Sequence, residues 1–383
     1  MRIFFLIIGW CLSVTLTGAE NRIWVDATIN NQPVRLIVDT GASDPILFRG
    51  TAERLKLKIT EPPPNLRPAP GEIIAGYTEP CDLVIQRTTA KEVFRIVDWP
   101  PEIQTQAEGA LSWYPMRKKV FAFDAANQKL DVGDVLPEYA VGWPKFKLRT
   151  DARVLGFKLP NGQPQHDCIY IDTGSESGVQ LHPALWQKWT ATRANQPATL
   201  FGYYSPGPGI VVKKEMWARE LPLGSLTLKD VPVQEEVASN TLTLMPDHAA
   251  TLGLFALRRL DLVMDGSNAV VYARPRNDPP PMYPHNRLGA VFVPRDLQTE
   301  PLVARVLPRS PADLAGIRDG DVLLRIGDLD VTIWRAHPQV RPSSFWERPA
   351  GTTLELTLKR GEKEYRTKVT LKNLLGPGIA TGF

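Results

Sequence analysis

The sequence is poor in the residues that build metal and redox chemistry, with 3 cysteines and 5 histidines among 383 residues. So few cysteines cannot frame a disulfide scaffold or a zinc site. The histidines, His166, His182, His248, His285 and His337, show no i, i+4 pairing of the kind that ligates zinc from one helix face. A phosphate-cradling Gly-Lys-Ser loop is missing. The one stretch resembling a nucleophile elbow, Gly174-Ser175-Glu176-Ser177-Gly178, carries Glu where the nucleophilic serine belongs. Charge of one sign is not in excess, because 45 basic and 41 acidic residues are spread without blocks. That excludes a nucleic-acid footprint. No metal, cofactor or nucleic acid is therefore expected. The 35 prolines and 28 glycines favour turns and edge segments over long helices.

Long apolar runs are confined to the beginning. Met1-Arg2 leads into a mostly apolar stretch from Ile3 to Leu16, then into the small residues Thr17-Gly18-Ala19. This reads as a signal peptide over residues 1–19, too short for the roughly 20 apolar residues of a membrane span. The remaining protein is expected outside the cytoplasm, periplasmic or extracellular, with no membrane span. Beyond the leader only Cys81 and Cys168 remain, either paired or buried singly as small apolar residues.

What is present is a repeat. Arg22 to Ser43, RIWVDATINNQPVRLIVDTGAS, resembles Arg153 to Ser175, RVLGFKLPNGQPQHDCIYIDTGS. Each copy reads as strand, turn, strand and Asp-Thr-Gly, with turns expected at Asn30-Asn31-Gln32-Pro33 and Asn161-Gly162-Gln163-Pro164. Further on, Val120 to Asn127 corresponds to Asp261 to Asn268, each a strand closing on an Asp/Asn turn. Short helices are expected only near Thr51 to Leu57 and Pro183 to Trp189. In both copies apolar β-formers run straight into the aspartate, Leu36-Ile37-Val38-Asp39 and Ile169-Tyr170-Ile171-Asp172. A carboxylate emerging from a buried strand is costly unless it is hydrogen-bonded, paired or used.

These paired motifs resemble the pepsin and retropepsin class of aspartic peptidases over roughly Arg22 to Ala273. A second family element recurs with them, an apolar-apolar-Gly segment beneath each active-site loop. Thr251-Leu252-Gly253 places its glycine twelve residues before Asp265, and Ala110-Leu111-Ser112 places serine twelve before Asp124. Ser112 departs from the family's glycine. The resemblance implies an all-β, two-lobed pseudo-twofold fold, with lobe 1 at 20–140 and lobe 2 at 141–273. It also implies catalysis by Asp39 and Asp172, supported by Thr40, Gly41, Ser43, Thr173, Gly174 and Ser175. The substrate would be a polypeptide. A flap would come from Gly71 to Tyr77 or from Gly202 to Gly209. The alternative is a catalytically silent scaffold of the same fold.

Past a proline-rich linker at 274–286, residues 287–375 resemble a PDZ domain of the bacterial, circularly permuted kind. The resemblance rests on Ser310-Pro311-Ala312 through Gly327 and on the closing Leu354 to Gly361. It implies a β-sandwich or barrel with short helices, and a loop at Leu288, Gly289, Ala290 and Val291 that holds a peptide C-terminus. Trp334 to Trp346 stands out as an insertion.

Overall fold

The computed structural model describes residues 22–61, 74–98, 107–163, 165–205, 209–236, 247–296, 301–334 and 342–377. The leader expected at 1–19 lies outside them. Strand dominates, and the all-β expectation holds.

The first repeat opens as read. Strand Trp24–Ile29 pairs antiparallel with Gln32–Val38, from Trp24 opposite Ile37 to Ile29 opposite Gln32. Asn30 and Asn31 sit at φ 48° and 64°, the conformation a two-residue hairpin turn demands. Alternation then buries Val25, Ala27, Ile29, Val34, Leu36 and Val38 on one side. The second copy differs. Strand Gly156–Gln163 runs on through the expected turn residues Asn161-Gly162-Gln163 and pairs Gln163 with His166, a register shift between Lys158 and Gln163 absorbing the offset.

The copies do not close separately. Strand Val120–Asp124 of the first pairs with Leu260–Asp265 of the second, Val120 opposite Asp265 and Ala122 opposite Val263. Both therefore belong to one twelve-stranded sheet, while a nine-stranded sheet holds the rest of the first copy. The paired ends are alike in detail: Asp124 accepts from the Asn127 amide and Asp265 from the Asn268 amide, each at 3.0 Å. One apolar core runs from Ile23 to Ala273 through both copies, because the shared sheet leaves no seam for water.

Helices are short, among them Arg49–Arg54 and Pro183–Thr190 near the two expected positions. Cys81 and Cys168 are both buried and unpaired, on strands of different sheets. No helix among the described residues is long and apolar enough to cross a membrane.

A six-stranded sheet with its own core, including Leu288, Phe292, Leu302, Leu323 and Leu356, forms the C-terminal part. The stretch before it is anchored at several points, with Pro279, Pro281 and Met282 exposed between them. Strand Val270–Pro275 extends into it, Arg259 donates to the Asp278 carbonyl at 2.7 Å, and Tyr283 packs among Trp217, Phe255 and His285. Proline richness had pointed to a spacer; packing makes it a strap. In the Trp334–Trp346 segment, residues 335–341 lie outside the described residues. Trp346 ends helix Ser343–Trp346 with its ring 5.7 Å from Phe292.

Candidate active site

Asp39 and Asp172 follow directly on the buried strands Gln32–Val38 and His166–Ile171. Beside each runs a parallel strand from later in the same copy. Ile37 and Val38 face Ala110 and Leu111, and Tyr170 and Ile171 face Thr251 and Leu252. The Asp39 amide donates to the Leu111 carbonyl and the Asp172 amide to the Leu252 carbonyl, each at 2.9 Å. The segments Ala110-Leu111-Ser112 and Thr251-Leu252-Gly253 thus fix the height at which each carboxyl leaves its strand.

Across the pseudo-twofold axis the two threonines are interlocked. Thr40 N–H donates to Thr173 Oγ1 and Thr173 N–H to Thr40 Oγ1, both at 3.1 Å. The Thr40 hydroxyl donates to the Ile171 carbonyl at 2.6 Å, and the Thr173 hydroxyl to the Val38 carbonyl at 2.7 Å. Four reciprocal bonds between buried groups bring the loops together without a covalent link. The glycines then let the carboxyls meet. A Cβ on Gly41 would stand 2.6 Å from Asp172 Oδ1, and a Cβ on Gly174 would stand 2.6 Å from Asp39 Oδ2. Any side chain at either position would occupy the space of the opposite carboxyl. Each glycine also donates its N–H to its own aspartate at 3.0 Å.

The serines bond to their near neighbours in the chain. The Ser43 hydroxyl donates to Asp44 at 2.9 Å, and Ser175 shares a 2.8 Å bond with Ser177. These bonds brace each serine within its own loop. Gly253 is required by close approach, since a Cβ there would lie 2.6 Å from Ser177 Oγ. In the first copy Ser112 fits at the corresponding position fully buried, its hydroxyl without a partner.

Two arginines complete the symmetry. Arg22 reaches across to donate to the Gly174 carbonyl, and its Nε lies 3.4 Å from Glu176. Arg153, its counterpart in the second copy, pairs with Asp44 of the first at 3.1 Å, where Arg95 also binds at 2.7 Å. The only trace of this pair in the sequence is that both repeats begin with Arg. Burial raises Asp39 above the ordinary carboxylate range against the pull of Arg22 and the Gly41 and Ala42 amides. Burial and then the charge of Asp39 hold Asp172 well above that range.

Residues 25–103 match the family model described as gag-polyprotein putative aspartyl protease. The first copy is aspartyl protease-like. Among curated proteins none matches this chain. Among solved structures, the retroviral protease-like domain of Ddi1 from Leishmania major is 17% identical, with a TM-score of 0.23. It covers 31% of this chain and 96% of its own.

Behind Asp172 lies a second polar cluster that the sequence did not announce. Glu236 stands 3.1 Å from His248 Nε2, and the Thr251 hydroxyl donates to it at 3.4 Å. Burial pushes Glu236 up to about 7 and His248 down to about 4. Lys213 donates to Gln180 at 3.2 Å, and Gln180 to Ser177 at 3.3 Å, connecting strand Gly209–Leu223 with the Asp172 loop. No group of three His, Cys, Asp or Glu among the described residues is placed to hold a metal ion.

Of the two flap candidates, Gly71 to Ile73 lie outside the described residues and Ile74–Thr78 is strand. The Gly202 hairpin rests on Val291 and Val293 of the C-terminal sheet. Leu288, Gly289, Ala290 and Val291 are all buried at that junction.

Proposed function

We propose that this protein is an aspartic endopeptidase whose two carboxyls, Asp39 and Asp172, share one proton and one water. The observation that carries the reading is the pair of glycines, each leaving room for the opposite carboxyl and for nothing else. Two carboxyls this close cannot both ionise, so they titrate as a unit. Asp39 accepts two backbone N–H groups, from Gly41 at 3.0 Å and Ala42 at 3.2 Å, while Asp172 accepts one, from Gly174. Asp39, accepting the larger number of N–H groups, holds the charge and Asp172 the proton. Asp39 then takes a proton from the water, which attacks the peptide carbonyl. Asp172 protonates the developing oxyanion; then, as the C–N bond breaks, Asp39 passes its proton to the leaving amine and a hydroxyl of the tetrahedral intermediate returns one to Asp172.

On this reading the chain is exported after loss of residues 1–19. Lobes at 20–140 and 141–273 form the catalytic unit, and residues 287–375 form a PDZ domain that receives peptide termini of substrate or partner. The test is cleavage of an unfolded protein between pH 3 and 8 by wild type, Asp39→Asn and Asp172→Asn. Activity in wild type alone, with all three folded and a statine-type transition-state mimic bound by wild type, is the expected result. Equal activity in the variants, or none in wild type, would sink the enzyme reading.

A further inference from the structure

The loop read as the peptide-terminus receptor is already filled. The N–H groups of Leu288 and Gly289 converge on one oxygen, Asn286 Oδ1, at 2.9 and 3.1 Å. Two convergent amide donors are the arrangement that receives a carboxylate oxygen. Here the chain supplies the oxygen itself. The other end of the same side chain reaches both ways, Asn286 Nδ2 donating to the Ala290 carbonyl at 2.7 Å and to the Leu200 carbonyl at 3.0 Å. Leu200 belongs to strand Ala198–Ser205 of the catalytic unit, and the neighbouring Thr199 hydroxyl donates back to the Asn286 carbonyl at 2.6 Å. Residues 285–290 are buried throughout. A ligand therefore cannot approach the two N–H groups while strand Ala198–Ser205 is docked.

We propose that Asn286 is a built-in ligand that closes this loop and latches it to strand Ala198–Ser205, so that a peptide α-carboxylate binds only when the latch opens. The proposal rests on the PDZ reading above and is independent of catalysis. The exchange is chemically balanced, because a carboxylate oxygen replaces a carboxamide oxygen as acceptor of the same two N–H groups. A carboxylate is the stronger acceptor, but its entry costs the bonds that join Asn286 to Ala290, Leu200 and Thr199. The latched strand pairs along its length with Gly209–Leu223, the strand from which Lys213 reaches Gln180 and the Asp172 loop. Opening the latch thus loosens a hairpin joined to the active site.

The experiment uses the full chain carrying Asp39→Asn, so that no peptide is consumed and failure of the peptidase reading leaves the result intact. A labelled decapeptide ending in valine is titrated as free acid and as amide, with Asn286 present and with Asn286→Ala. The expected result is binding of the free acid at least tenfold tighter in the Asn286→Ala protein, and no such preference for the amide. Equal affinity in both proteins, or no binding in the Asn286→Ala protein, overturns the proposal. Asn286→Asp keeps the oxygen and removes the amide donor, which guards against a variant that fails to fold. It should leave the loop closed to peptide while hydrogen exchange at residues 199–203 quickens at least tenfold. Unchanged exchange there overturns the latch.

Discussion

At the scale of single residues, the site depends on side chains that carry charge or lack bulk. The charge of Arg22 pulls both carboxyls down against the effect of burial, so Arg22→Ala should move the acidic limb of a kcat/KM profile to higher pH. Arg22→Lys keeps the charge but not the two-pronged contact, and should restore the pH profile more fully than the stability. Ser112 makes a different prediction. Its buried hydroxyl has no partner, and such a group costs about 1–3 kcal/mol. Ser112→Ala should therefore raise thermal stability by about 1 kcal/mol, measured by denaturant unfolding. Glu236 gives a signed pH dependence. Its carboxyl is pushed from 4.5 up to about 7 in the folded state. The folded state holds the extra proton, so this contribution is present below about pH 4.5 and is lost as pH rises toward 7. Glu236→Gln should gain on wild type in melting temperature between pH 5 and 8. A constant gap would refute the assignment.

At the scale of elements, the interlock of the two Asp-Thr-Gly loops is the unit that matters. Thr40→Val removes the hydroxyl that serves the Ile171 carbonyl and leaves the Thr173 N–H without its 3.1 Å acceptor. A buried amide stranded in this way should cost about 3 kcal/mol. Cleavage should fall at least tenfold, because the carboxyls lose their fixed separation. Most of this element was legible in the sequence, since repetition fixed both strand-to-loop transitions and the twelve-residue offsets. The second hairpin turns later than its Asn-Gly pair suggests, because that pair satisfies a bulged strand as readily as a turn.

At the scale of the whole molecule, the strap between the duplicated unit and the C-terminal sheet decides whether they unfold together. Tyr283 packs against Trp217 and Phe255 and donates to the buried Glu215 at 2.6 Å. Tyr283→Ala should cost about 3–5 kcal/mol through the cavity left behind. In calorimetry it should split a single melting transition into two. A single transition at unchanged temperature would mean that the two parts are coupled elsewhere.

The sequence by itself determined the duplicated unit, the two aspartates and the β class, because repetition, period-two alternation and Asp-Thr-Gly are local patterns. Tertiary structure alone decided the rest. Arg22 finds Glu176, Val120 finds Asp265, and Asn286 fills its own loop and holds Leu200. These partners lie far apart in the chain or depend on which acceptor the fold places at a buried N–H. No spacing in the sequence encodes that outcome, since it is settled by burial, where every donor must find an acceptor.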